Sequence, residues 1–123
     1  MRNERDPFYL SPAWKRKARQ IMIRDRYQCQ ISKRYGRLRP AELVHHVFPK
    51  DEFPEYAYKD WNLIAVSRDA HHRLHNPDGD LSEFGREVLR RIASKNNIPI
   101  PEQYVLKKTR VYKHKTERLL YQA

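Results

Sequence analysis

Five of the six histidines fall between positions 45 and 75: His45, His46, His71, His72 and His75. A neutral imidazole binds a divalent metal ion through one ring nitrogen. His71 and His75 are four residues apart, which places both rings on one face of a helix. His72 points about 100° away from His71, although a His72/His75 pair, three apart, also satisfies the geometry. A third ligand has to come from another element, and His45-His46 is the concentrated source. Neighbouring residues on a strand face opposite sides, so one of the two can bind metal while the other stands free beside it. A free imidazole, with an ordinary pKa of about 6.5, can take a proton from water near neutral pH. The set therefore has the chemistry of metal-assisted hydrolysis. A structural metal site is the competing reading, but such sites are usually closed sets of four ligands rich in cysteine. Cys29 is the only cysteine here, so no intrachain disulfide forms either.

The elements that must hold these residues can be read around them. Residues 43–48 read as a strand stopped by Pro49. Residues 49–60, with two prolines, several acids and Phe53, Tyr56 and Tyr58, read as a loop. Residues 61–66 carry Leu63, Ile64 and Val66 and read as a second short strand or its approach. Ser67 can cap a helix over 68–75, which Asn76-Pro77 ends. Further on, Asp80 with Glu83 resembles a capping box opening a helix over 81–95, with Leu81, Phe84, Val88 and Ile92 on one face. Gly85 inside that helix costs about 1 kcal/mol relative to Ala, which points to a close contact there.

Upstream, Ser11-Pro12 is a helix start, with Ser as cap and Pro in the first position. The spacing of Trp14, Ala18 and Ile21, then Met22 or Asp25, predicts an amphipathic helix over 12–26. Lys15, Arg16, Lys17 and Arg19 cover its outer face, which suits a phosphate backbone; an ordinary solvated helix would look the same. Residues 1–10 read as an extended arm anchored by Phe8, Tyr9 and Leu10. Residues 27–40 read as irregular, with a turn at Gly36 and a second basic cluster. Residues 98–123 read as a basic tail that orders on DNA.

The 123 residues carry a net charge of +11, which suggests a polyanionic partner, nucleic acid above all. The distribution is sharper than the total. Residues 42–80 hold four basic groups against eight acids, whereas the remainder carries a net +15. The histidine-rich stretch is thus a chemical centre and the flanks are the electrostatic grip. Fourteen aromatic residues argue for a packed core rather than disorder. No apolar run approaches the ~18 residues of a membrane span, and the amino end has no signal-like apolar region. The expected location is the cytoplasm, without membrane partners.

The stretches Val44-His45-His46-Val47, Trp61-Asn62-Leu63-Ile64 and His71-x-x-x-His75, with 16 residues from His46 to Asn62 and nine from Asn62 to His71, resemble the HNH endonuclease family. The linker at 51–55 and the upstream stretch at 24–30 resemble small phage and bacterial members, so the likeness spans about residues 14–76. It implies an α+β chain with a ββα-metal (HNH) core and flanking helices, mainly helical outside the motif. Residues 1–123 would be a single nuclease domain around the 42–76 motif. It further implies a DNA endonuclease leaving 5′-phosphate and 3′-hydroxyl ends with one divalent ion (Mg, Mn, Zn or Ni). His46 would be the general base, Asn62 would hold the loop between the strands and orient His46, and His45, His71 and His75 would be metal ligands. Double-stranded DNA would be the partner, with a phage terminase or packaging machine beside it; a catalytically idle DNA-binding or packaging accessory protein of the same fold is the alternative. Arg73, on the flank of the motif helix, is a further expected phosphate contact on its position alone. Many relatives carry two Cys-x-x-Cys pairs that hold a structural zinc. Here these have become Cys29-x-x-Ser32 and Ser67-x-x-Ala70, so no structural zinc is expected.

Overall fold

The computed structural model describes residues 6–106. Of the basic tail expected over 98–123, residues 98–106 instead pack on the domain, with Ile98, Ile100 and a buried Tyr104 joining an apolar cluster, and the remainder lies outside the described residues, as do the first five residues of the arm. Seven elements follow in order: α1 Pro7–Leu10, α2 Pro12–Arg24, α3 Gln30–Arg34, β1 Leu43–His46, β2 Leu63–Val66, α4 Arg68–Arg73 and α5 Glu83–Lys95.

The two strands form an antiparallel pair in which Leu43 faces Val66, Val44 faces Ala65, His45 faces Ile64 and His46 faces Leu63. Because side chains alternate along a strand, Leu43, His45, Ile64 and Val66 share one face of this sheet. Val44, His46, Leu63 and Ala65 share the other. The first face packs against α3, α4 and α5 through Ile31, Ala70, Leu74 and Val88. The second packs against α2 through Trp14 and Ile21. A third apolar cluster, around Phe48, Leu89 and Tyr104, fills the space under the 49–60 loop. The sheet is thus a thin partition, and the His45-His46 pair sends one imidazole to each side of it.

Local chemistry explains most element ends. Ser11 accepts a hydrogen bond from the Trp14 N–H at 3.1 Å, and Ser67 accepts one from Ala70 at 3.1 Å. Both are the caps expected from the sequence. α2 ends at Arg24 rather than 26, because Asp25 leaves the helix to accept the Ala65 N–H at 2.9 Å. Beside it, Arg24 donates to the Leu63 carbonyl at 2.6 Å. The open edge of β2 is therefore covered by charged side chains from the end of α2, a protection that exposed strand edges need.

Three further expectations are corrected and one open alternative is settled. Residues 7–10 form a helical turn rather than an extended arm, because Asp6 caps it at the Phe8 N–H and Pro7 occupies its first position. Residues 30–34 form α3 within the stretch read as irregular. Residues 60–62 make a 3₁₀ turn, so β2 starts at Leu63. α5 starts at Glu83 and is capped by Ser82, not Asp80. The Ser82 hydroxyl accepts from the Gly85 N–H at 3.1 Å and donates to the Arg73 carbonyl at 2.7 Å. One hydroxyl thus caps α5 and the end of α4 together, which an aspartate two residues earlier does not do. The close contact expected at Gly85 is present: a β-carbon there would overlap the carbonyl oxygen of Leu74.

Candidate active site

His45, His71 and His75 converge, each offering a ring nitrogen within 4.8 Å of the others. The ring centroids of His45 lie 5.3 Å from those of His71 and His75, which are 4.6 Å apart. β1 supplies the first, and α4 with the residues just past its end supplies the other two. His75 lies beyond the last helical residue, yet its ring stays with the cluster because Nδ1–H donates to the His71 carbonyl at 3.1 Å. That bond leaves the Nε2 lone pair free to bind, the arrangement by which a carbonyl usually orients a metal-binding imidazole.

His45 is almost fully buried, and its Nε2 has no hydrogen-bond partner among the described residues. Burying such a nitrogen unpaired is costly, and a metal ion would satisfy it. Burial, reinforced by the neighbouring charges of His71, His75 and His46, holds its pKa well below the ordinary imidazole range. Burial also lowers His75. Both rings are neutral at pH 7 and hence competent ligands. Three imidazoles with an open side facing a cleft fit a catalytic divalent ion better than a closed structural one.

His46 faces the other way. Its ring stacks on Trp14 with centroids 4.8 Å apart, and Phe8 approaches its edge at 5.7 Å. Its Nε2 lies 3.1 Å from the Ala57 carbonyl. A carbonyl only accepts, so Nε2 carries the proton and the neutral ring presents Nδ1 as its basic atom. His45 and His46 nonetheless line one cleft of about 160 Å³, together with His71, His75, Tyr9, Lys50 and others.

Asn62 is fully buried under the loop that carries Ala57. Its Oδ1 accepts the Phe48 N–H at 2.7 Å, while its Nδ2 donates to the Phe48 and Tyr56 carbonyls at 3.2 Å each. The Phe48 N–H can only donate, which fixes which end of the amide is oxygen. Asn62 thus ties the start of the loop to its far side, and the next residue after Tyr56 supplies the carbonyl that holds His46. Its hold on His46 runs through the loop backbone.

Of the expected nucleic-acid contacts, Lys15, Arg16 and Arg19 are exposed on α2. Lys17 is engaged: it pairs with Asp60 at 2.7 Å, and that hydrogen bond lowers the Asp60 carboxyl. Arg73 is exposed on α4, as is His72, which stays outside the cluster.

Several residues at the site escaped the sequence reading. Lys50 lines the cleft with its ammonium 2.7 Å from Asp6 and 2.8 Å from Asp51, over the Phe8 ring. Burial works against its charge, but those two hydrogen bonds outweigh it and raise its pKa. Trp14 reads from the sequence as part of an apolar helix stripe, and its spacing carries no sign of the stacking on His46.

Two strands joined by a pinned loop, followed by a helix that faces the first strand with its histidines, make a ββα-metal arrangement. No family model matches the chain. No curated protein matches it either. Among solved structures, the chain is similar to the HNH endonuclease of the deep-sea thermophilic bacteriophage GVE2, crystallised with a manganese ion. The two share a TM-score of 0.54 and 24% sequence identity over 57% of this chain and 76% of that one. The fold is the α+β HNH fold, and the His45/His71/His75 cluster lies where that fold brings β1 and α4 together. No helix among the described residues is long and apolar enough to cross a membrane.

Proposed function

We propose that the protein is a metal-dependent endonuclease that hydrolyses phosphodiester bonds in DNA, leaving 5′-phosphate and 3′-hydroxyl ends. The observation that carries this reading is the division of labour across the sheet: three imidazoles converge on one side, and a fourth, His46, is held beside them. His45, His71 and His75 would hold one divalent ion, magnesium, manganese, zinc or nickel. Bound there, such an ion stabilises negative charge on the scissile phosphate and on the departing 3′ oxygen.

The protein's own groups do the rest. The Ala57 carbonyl keeps the His46 proton on Nε2, which leaves Nδ1 as the basic atom that takes one from water. Trp14 fixes the plane of the ring by stacking. Asn62 keeps the loop, and with it the Ala57 carbonyl, in register. Lys15, Arg16 and Arg19, with Arg73, contribute positive charge toward the phosphate backbone of double-stranded DNA. We read residues 1–123 as one nuclease domain, since all three apolar clusters contain residues of β1 or β2 or pack against them. A phage packaging machine as a further partner rests on resemblance alone.

A supercoiled-plasmid assay tests the reading. Cleavage is expected with a divalent ion, lost in EDTA and lost in His46→Ala. Wild-type protein that binds DNA yet cuts nothing across magnesium, manganese, zinc and nickel would be an idle relative of the nucleases instead.

A further inference from the structure

A second cavity, of about 510 Å³, lies on the far flank of α4 from the histidine cluster. Ser32, Tyr35, Arg37, Arg73 and Phe84 line it. Arg73, the last helical residue, is two positions after His71 and so turns about 200° away from it around the helix. Its guanidinium lies 6.0 Å from the centre of the Phe84 ring, and its ion pair with Asp69 is stretched to 3.7 Å. No carboxylate lines the cavity among the described residues. Tyr35 is 61% exposed, held at the start of a tight turn by its N–H to the Ser32 carbonyl at 3.0 Å. Gly36, with φ of +80°, lets the chain reverse there, and the Arg37 N–H returns to the same Ser32 carbonyl at 3.0 Å.

Two aromatic rings and two guanidiniums around one open cavity match the two halves of a nucleotide. Ring faces stack on a base, and guanidiniums hold phosphate oxygens. In a fully paired duplex the base faces are covered by their neighbours, so only the phosphates remain for such a site. A base that is unpaired or turned out offers its face. α4 separates the cavity from the metal cluster by its own thickness, on the order of 10 Å. At roughly 3.4 Å per nucleotide along a strand, that is a step of two or three nucleotides.

We propose that this cavity receives an unpaired nucleotide of the strand being cut, its base stacked on Tyr35 and its phosphate held by Arg37 and Arg73. The proposal rests on the reading of the chain as a nuclease acting on DNA, and it narrows the substrate to DNA with a local defect or single-stranded stretch. Anisotropy measurements in EDTA, where no strand is cut, test it separately from cleavage. The probes are a 20-base-pair duplex and the same duplex with one bulged 2-aminopurine. Wild-type protein is expected to bind the bulged DNA about tenfold tighter, within the range one stacked base contributes, and to quench the 2-aminopurine. Tyr35→Ala should lose the preference and the quenching, and Tyr35→Phe should keep both. Arg37→Gln and Arg73→Gln should each flatten the salt dependence by about one unit. Equal affinity for the two DNAs, no binding to either, or a preference that survives Tyr35→Ala would overturn the proposal. A failure in the plasmid assay with this preference intact would count against the nuclease reading and not against the nucleotide site.

Discussion

Asn62→Ala should unfold the loop between β1 and β2 and much of the protein's stability with it. Asn62 is 0% exposed and makes three hydrogen bonds to the backbone of Phe48 and Tyr56. Truncation leaves the Phe48 N–H and two carbonyls without that partner, in a site with little access to water. Each buried group left unmade costs about 1–3 kcal/mol. The Tyr56 carbonyl sits nearer the surface and recovers part of its loss from solvent. The net expectation is about 3–5 kcal/mol, a large share of the roughly 5–15 kcal/mol that holds a domain folded. Thermal melting should then fall by more than about 10 °C, since 1 kcal/mol moves a domain of this size by roughly 4 °C or more. Asn62→Asp separates hydrogen bonding from volume. It keeps the acceptor for Phe48 but points a second oxygen at two carbonyls, so it should be at least as damaging as Ala. Melting of Asn62→Ala within about 3 °C of wild type, or an Asp variant close to wild type, would refute the assignment of Asn62 as the pin of the loop.

Three further outcomes are expected. Manganese or zinc at a hundredfold excess over its dissociation constant should stabilise the protein by about 2.7 kcal/mol; calorimetric scans should show this lost in His45→Ala and retained in His72→Ala. Gly85→Ala should destabilise by about 1–3 kcal/mol in urea titrations, because the added methyl meets the backbone of Leu74 rather than a side chain that could move. Stability should fall with rising pH above about 10, where tyrosine ordinarily ionises. Burial, and then the hydrogen bond to Glu52, raise the Tyr104 phenol well above that range in the folded chain. The unfolded chain therefore loses this proton first, and folding is penalised as pH climbs. Alkaline denaturation of Tyr104→Phe should lack this component.

The histidine set was legible because metal chemistry constrains residue type and spacing at once. A strand pair, a helical four-residue step and a lean cysteine supply leave few arrangements that bring imidazoles together. Ser11-Pro12 and Ser67 were legible for a similar reason, since each states a cap and a start in adjacent residues. α1 and α3 were not, because helices of four and five residues hold too little periodicity to be told from loop. At α5 two cap residues lie within three positions, and spacing to Glu83 favoured Asp80. Only the tertiary contact with Arg73 selects Ser82. The stacking of Trp14 on His46 and the Lys50 pairing with Asp6 depend on how α1 and α2 fold back on the cleft, which local sequence does not encode.

The placement of His71 and His75 raises a problem that the ends of α4 resolve. A helix of six residues is far below the length that is stable alone in water, so it cannot position these two histidines by its own rigidity. Nor does a cluster of cysteines stiffen this region, since Cys29 is the only cysteine and Ser32, Ser67 and Ala70 lie around it. Burial works to raise the Cys29 thiol, but hydrogen bonding with Ser32 and Ser67 together outweighs it and lowers its pKa. Cys29 and Ala70 are both fully buried in the cluster under α4. At the first turn of α4, Ser67 caps Ala70, and Glu42 accepts the Arg68 N–H at 2.8 Å. At its last turn, Ser82 takes the Arg73 carbonyl through its hydroxyl and the Leu74 carbonyl through its N–H at 2.9 Å. Gly85 lets α5 close directly onto that end. Side-chain caps at both ends and an apolar floor thus fix a helix too short to fix itself, and they do so from four separate stretches of the chain. The rigidity of the histidine cluster is accordingly a property of the whole fold around α4, and changes at Glu42, Ser67 or Ser82 act on the cluster without touching it.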